Sequence, residues 1–242
     1  MGNKVIGTTS VKLGIYETST DTQLAGMVGD KKEFEDGRVF RLCKNGATPL
    51  VAGILVQAIV SLASDDSIEI PTASAIGDKT VYVTADATSE HAVHTLAGGY
   101  LVCSDTTGDI GTFYKIKDNT ALVSGSTGTI TLYDALTTAL VAATNEVSFC
   151  VNPYSGVIAG VGTAQLVGVP YIAVAANAYF WALCEGYGPG TDSGAGVAAG
   201  DCVSHSAGDV ILQDGTEDNG IGIAVTAIAA NECGIINYHH MV

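Results

Sequence analysis

The chain has 242 residues, enough to bury a sizeable core as one large β domain or two modest ones. Hydrophobic residues make up 47% but aromatics only 7%, and 30 glycines against five prolines favour many short strands joined by tight turns over collagen-like or proline-rich chains. The formal net charge of −15 argues against nucleic acid as a partner, and no segment supplies the roughly 18 unbroken apolar residues of a membrane-spanning helix.

Residues 1–35 mix glycines and small polar side chains with isolated apolar ones such as Val11, Leu13 and Ile15. This pattern is expected of an extended arm that needs a partner to bury its few apolar groups and that the folded body can lose. The segment opens without an apolar stretch of secretory type, and Ile6 stands where a myristoylation signal requires Ser or Thr. Synthesis in a reducing cytoplasm is therefore expected, with Cys43, Cys103, Cys150, Cys184, Cys202 and Cys233 as free, buried thiols.

The run DGRVFRLCKNGATPLVAGILVQA spans residues 36–58, and its Asn45-Gly46 dipeptide predicts a hairpin. SIEIP and KTVYVTAD alternate apolar with polar residues and predict two strands between residues 67 and 84. TLAGGYLVCSD and GTFYKIKDN predict a further hairpin over 95–118, turning at Thr106-Thr107-Gly108-Asp109. Leu132, Leu136, Ala139, Leu140 and Ala143 recur at helical spacing, with Asp134 in the first turn, and predict one short helix over 132–143. EVSFCVNPY returns to strand, and GVPYIAVAANAYFWALCEG reads as buried strands.

Together these elements predict a mainly β chain with antiparallel sandwich or barrel-like subdomains: an N-terminal arm (1–35), a β domain with the one short helix (36–150) and a C-terminal β domain (151–242). A short echo, a turn glycine feeding a strand, recurs at Ala52-Gly53-Ile54-Leu55-Val56, Ala97-Gly98-Gly99-Tyr100-Leu101-Val102 and Ala199-Gly200-Asp201-Cys202-Val203. Its irregular spacing excludes a solenoid.

Charge is distributed unevenly. Lys4, Lys12, Lys31, Lys32, Arg38, Arg41 and Lys44 are seven of the ten basic residues, and none follows Lys117. A near-neutral N-terminal end that meets a partner, and an acidic remainder kept soluble by self-repulsion, follow from that asymmetry.

Patterns for catalysis or metal binding are weak. Glu90-His91 with His94 lacks the i, i+4 pair of a helical zinc site, His239-His240 is a bare doublet, and both read as exposed loop histidines. No nucleophile elbow is present; Ser124-Gly125-Ser126-Thr127-Gly128 reads as a loop and His205 as a surface strand residue. Gly160-Val161-Gly162-Thr163 and Gly186-Tyr187-Gly188-Pro189-Gly190 lack the Lys-Ser/Thr of a phosphate loop, and the second reads as a turn. Asp214, Glu217 and Asp218 read as solvated turn acids without the spacing of a calcium loop. No catalytic residue, metal or cofactor is assigned, and a protein that is not an enzyme is expected.

One resemblance adds to this reading. Asp36-Gly37-Arg38-Val39-Phe40-Arg41-Leu42-Cys43-Lys44-Asn45-Gly46, followed by Leu50-Val51-Ala52-Gly53-Ile54-Leu55-Val56-Gln57, resembles the opening of head decoration (cement) proteins of tailed bacteriophages. Gly98-Gly99-Tyr100-Leu101, Gly111-Thr112-Phe113-Tyr114-Lys115-Ile116 and Asn152-Pro153-Tyr154 are similar to their middle segments. Ala198-Ala199-Gly200-Asp201-Cys202-Val203 and Ile221-Gly222-Ile223-Ala224 look like a run of β-rich virion modules.

The resemblance implies a structural role without catalysis: a homo-oligomer, a trimer before a dimer, bound outside the capsid and bridging subunits of the major capsid protein. Arg38, Arg41 and Lys44 are then the expected polar contacts, with Lys12, Leu13 and Ile15 on the arm beside them. A tail or fibre component that binds a host surface shares this composition and is the main alternative. A metal-dependent hydrolase and an acidic surface-layer protein are the remaining ones.

Overall fold

The computed structural model describes residues 13–21, 27–104, 111–192, 194, 196–213, 220–239 and 241. The chain is mainly β, as the composition predicts, and divides into two compact units, residues 1–60 with 153–242 and residues 61–152. In chain order the strands are β1 (Lys31–Glu33), β2 (Val39–Asn45), β3 (Val56–Gln57), β4 (Ile68–Glu69), β5 (Thr80–Thr84), β6 (Tyr100–Cys103), β7 (Phe113–Asn119) and β8 (Thr127–Leu132). They continue with β9 (Glu146–Cys150), β10 (Ser155–Ala159), β11 (Leu166–Pro170), β12 (Tyr179–Asp192), β13 (Cys202–Ser206), β14 (Asp209–Leu212), β15 (Gly222–Ala224) and β16 (Glu232–Tyr238). Among the described residues no helix is long and apolar enough to cross a membrane.

The first unit is built on β2 and β12. β2 pairs with β10, β10 with β3, β3 with β11, β11 with β12, and β12 returns to β2, so five strands close into a ring that leaves no open edge within it. Only the β2–β10 contact in that ring is parallel. VFRLC and YFWALC are apolar at nearly every position because both of their faces are buried. Cys43, Val56, Val157, Val167, Phe180 and Ala182 share one core. Phe40, Leu42, Tyr179, Trp181 and Leu183 share another with Val203, Val210, Ile221, Ile236 and Tyr238. Each large apolar side chain so buried contributes about 1.5–3 kcal/mol before entropy is counted. β12 runs on to pair with β16, which carries β15, β13 and β14.

The second unit is an antiparallel sheet in the order β4-β9-β6-β7-β8-β5. Alternate residues point inward, so Val81, Val83, Leu101, Tyr114, Ile116, Ile130, Leu132, Val147 and Phe149 form its core. The hairpin expected over 95–118 is β6 with β7; its turn residues 106–109 lie outside the described residues.

A four-residue device recurs through both units. A residue in an isolated β-bridge is followed by two further residues and then by one with positive φ, in every copy but that ending at His94 within three residues of a strand. The copies are Leu50–Gly53, Ser74–Gly77, His91–His94, Leu122–Gly125, Leu140–Ala143, Val174–Asn177, Val197–Gly200 and Ile228–Asn231. They meet in pairs: Leu50 with Val174, Ser74 with Leu140, His91 with Leu122 and Val197 with Ile228 each exchange two backbone hydrogen bonds. The N–H of each fourth residue donates to a further carbonyl, as Gly53 does to Pro170 O and Asn177 to Gly46 O. The sequence echoes at Gly53 and Gly200 are two of these copies; the echo at 97–102 falls just after a third.

Several expectations are corrected. Residues 132–143 are not helical: Leu132 ends β8, Leu136 N donates to Asp78 O, and Leu140 bridges Ser74. Their spacing comes from three separate anchors on one core, and a helix this short has little stability of its own against them. The Asn45-Gly46 dipeptide does not turn a hairpin. Asn45 is buried and its amide donates to Thr48 O and Ala175 O, while the hairpin of this region is β1–β2, turned at Asp36-Gly37 with Gly37 at φ 85°.

Gly186–Gly190 is not a turn but part of β12. A Cβ at Gly188 would lie 2.3 Å from Leu183 Cδ2 and one at Gly190 2.7 Å from Ile236 Cγ1, so these glycines make room for core side chains. Residues 36–60 belong with the C-terminal segment, so the compact units do not divide at 35/36. The described residues of the arm also pack on the body: Leu13 is in the core, Ser19 bridges Tyr179, and β1 pairs with β2.

Candidate contact surface

The side chains expected to meet a partner are shaped first by the alternation of β2. Arg38, Phe40, Leu42 and Lys44 project to one side and Val39, Arg41 and Cys43 to the other. Arg38 Nε donates to Asp36 Oδ2 at 2.7 Å, and its guanidinium lies 5.1 Å from the Phe34 ring centre and 5.9 Å from that of Phe40. The side chain is only 16% exposed. Burial works against its charge, but hydrogen bonds to Tyr171 and Asp36 outweigh that and raise its pKa.

Around Arg38 the fold gathers aromatics from distant parts of the chain. Phe34 and Phe40 meet edge-on at 5.6 Å, Phe40 and Tyr171 at 5.2 Å, and Tyr16 tilts over Tyr171 at 5.9 Å. Tyr171 Oη donates to Tyr187 O at 2.6 Å. Tyr16 and Tyr187 are 64% and 53% exposed. An arginine held among Phe34, Phe40 and Tyr171, with Tyr16 exposed at the rim, has the composition of residues that dominate binding energy at protein interfaces.

The other expected residues scatter around this centre. Leu13 is buried, and its carbonyl accepts hydrogen bonds from Lys32 Nζ and Trp181 Nε1, both at 2.9 Å. The Lys32 ammonium also lies 4.3 Å from the Trp181 ring centre, and its burial pulls its pKa down. Ile15 packs partly buried on the same core. Lys44 Nζ lies 5.7 Å from the Tyr179 ring centre. Arg41, on the opposite side of β2, donates to Gly29 O at 3.2 Å and sits over Tyr154. Lys12 lies outside the described residues. The fold thus brings Leu13, Ile15, Arg38 and Lys44 to one side and separates Arg41 from them. Tyr16 and Tyr171 were missed because no sequence spacing links them.

The weaker sequence motifs are absorbed by structure. His91 Nε2 and Asp65 Oδ1 are 2.9 Å apart with side chains 8% and 3% exposed, so His91 is not the exposed loop residue its sequence suggests. His94 Nδ1 pairs with Asp118 at 2.7 Å, and Glu90 accepts from Ser124 N, so the three side chains diverge. Val161 N and Gly162 N both donate to the buried Gln57 Oε1, which occupies the amides a phosphate would need. No group of three His, Cys, Asp or Glu side chains comes together for a metal among the described residues. Asp214, Glu217, Asp218 and His240 lie outside those residues.

The six cysteines are all free; Cys43, Cys103 and Cys184 are buried as expected, Cys150 is half-buried, and Cys202 and Cys233 are exposed. No family model, no curated protein and no solved structure matches the chain.

Proposed function

We propose that this protein is a decoration protein of a tailed-phage head: a structural, non-catalytic subunit that binds the outside of the capsid and bridges neighbouring major capsid protein subunits. The observation that carries this reading is the Arg38 cluster. It lies in the Asp36–Asn45 segment on which the resemblance rests, and it offers an exposed Tyr16, stacked on Tyr171, beside a guanidinium fixed by Asp36 and Tyr171. Fixing the anchor before contact lowers the entropy lost on docking. The closed five-strand ring of the first unit offers no strand edge of its own to pair with another copy.

On this reading the protein is made in the host cytoplasm, assembles as a trimer and occupies the capsid exterior. A trimer matches local threefold positions of an icosahedral lattice, and closed symmetry limits further growth.

The test is co-sedimentation of purified protein with undecorated capsids. Wild type saturates the capsids, and Tyr16→Ala lowers affinity at least tenfold, because the ring is exposed and its loss spares the core. Unchanged binding by that variant places docking elsewhere, and no sedimentation of wild type refutes the reading.

A further inference from the structure

Residues 13–19 run along the first unit as a strap with two anchors on β12. At one end the Leu13 carbonyl accepts hydrogen bonds from Trp181 Nε1 and Lys32 Nζ, both at 2.9 Å. At the other, Ser19 and Tyr179 exchange two backbone hydrogen bonds of 3.1 and 2.7 Å. Between the anchors Gly14–Glu17 is a turn closed on itself: Glu17 N donates to Gly14 O at 3.1 Å, and Gly14 N donates to Glu17 Oε2 at 2.8 Å. The turn packs Ile15 partly into the core and sets the exposed Tyr16 over Tyr171.

The charge shut in beneath the strap has no counter-ion. Lys32 is 8% exposed, and the three N–H groups of its ammonium have one acceptor, Leu13 O, beside the face of the Trp181 ring at 4.3 Å. Among the described residues no carboxylate lies within ion-pair distance of it. Desolvation lowers its pKa, and the attraction of Glu17, whose carboxylate is turned to Gly14 N, offsets only part of that. A buried cation in this state is relieved by hydration. Leu13, buried in the core, and the Trp181 N–H act the other way and favour the shut strap.

We propose that residues 13–19 open and shut over Lys32 and Trp181 in the folded protein, with the charge on Lys32 biasing the strap toward opening and Tyr16 presented at the Arg38 surface only when it is shut. The shut form predominates, and the open one is reached by breaking the few contacts named above, whereas the β2–β12 ladder opens only with the whole unit. A partner that touches Tyr16 binds the shut form and shifts the equilibrium toward it. The inference rests on the capsid reading only for the identity of that partner.

Native-state hydrogen exchange of the full chain, followed by NMR with no capsids present, tests the strap apart from that reading. Trp181 is the only tryptophan, so its indole N–H gives a single signal. The protection factor of that proton should be at least tenfold lower than those of the backbone amides in the β2–β12 ladder. Lys32→Met keeps an unbranched apolar side chain and removes the charge, and it should slow indole exchange at least tenfold. Leu13→Ala should speed it at least tenfold.

Retained protection of the ladder shows that each variant is folded. Equal protection of the indole and ladder protons in the wild type overturns the proposal, because the strap then opens only with the body. Indole exchange that is unchanged or faster in Lys32→Met also overturns it, because Lys32 is then a latch that holds the strap down.

Discussion

Leu13→Ala separates an arm that merely trails from one built into the body. The side chain is buried in the core shared by Trp181 and Phe40, and its carbonyl ties Lys32 and Trp181 together. Truncating a buried leucine costs about 2–5 kcal/mol, and a site at the edge of a core that can partly collapse falls near 3 kcal/mol. For a body of this size about 2–4 °C is lost per kcal/mol, so the melting transition of the first unit should drop by about 6–12 °C. The second unit has its own core and its transition should stay where it is. Differential scanning calorimetry of wild type and variant measures both. A first-unit transition that moves by less than about 2 °C would refute the packing of residues 13–21 and restore the picture of a dispensable arm. The same reasoning predicts that deleting residues 1–30 destabilises the body, because two buried donors lose their shared acceptor.

Other consequences follow from backbone and burial. Ala143 sits at φ 55° in the position filled by glycine in four sister copies of the turn, so Ala143→Gly should stabilise the second unit by about 0.5–1 kcal/mol in a chemical denaturation series. Gly99→Ala should do the reverse: its Cβ would lie 2.1 Å from Cys150 O, a backbone atom of the paired strand, and the second unit should melt at least 5 °C lower while the first does not. Burial pushes the Cys184 thiol up to about 12 and raises Cys43 as well, from an ordinary value of 9.0. Below pH 9 both thiols are protonated whether the chain is folded or not; above it the unfolded chain loses protons the folded one keeps, so stability should fall between pH 9 and 12. Urea titrations across that range, with Cys184→Ala showing a shallower decline, measure the effect.

Strand content and the buried runs of β11 and β12 were legible in the sequence because a two-residue period and an unbroken apolar run have few other readings. The hairpin signal was present twice, at Asp36-Gly37 and Asn45-Gly46, and only the tertiary partner of Asn45 decides between them. The false helix arose because Leu132, Leu136 and Leu140 reach one core from a strand end, a loop and a bridge, a coincidence of spacing that periodicity cannot unmask. The recurring turn was half visible. Its glycine copies at Gly53 and Gly200 stand out, whereas Asn177, Asn231 and His94 fill the same left-handed position with residues that tolerate it without advertising it, and Ala143 with one that seldom adopts it. At the contact surface the β2 sequence supplied Arg38, and its parity could have set Arg41 on the other side. Tyr16 meets Tyr171 only through the docking of the arm, and Phe40 meets Tyr171 only through the tertiary fold.

The central claim, attachment to a phage head, is tested most directly by cryo-electron microscopy of virions that carry this chain, with quantitative mass spectrometry of the same particles. The account predicts density for the two β units on the outer capsid surface, the Arg38 face turned toward the major capsid protein, and a copy number in fixed proportion to that protein. Density confined to the tail, or absence of the chain from purified particles, would contradict it.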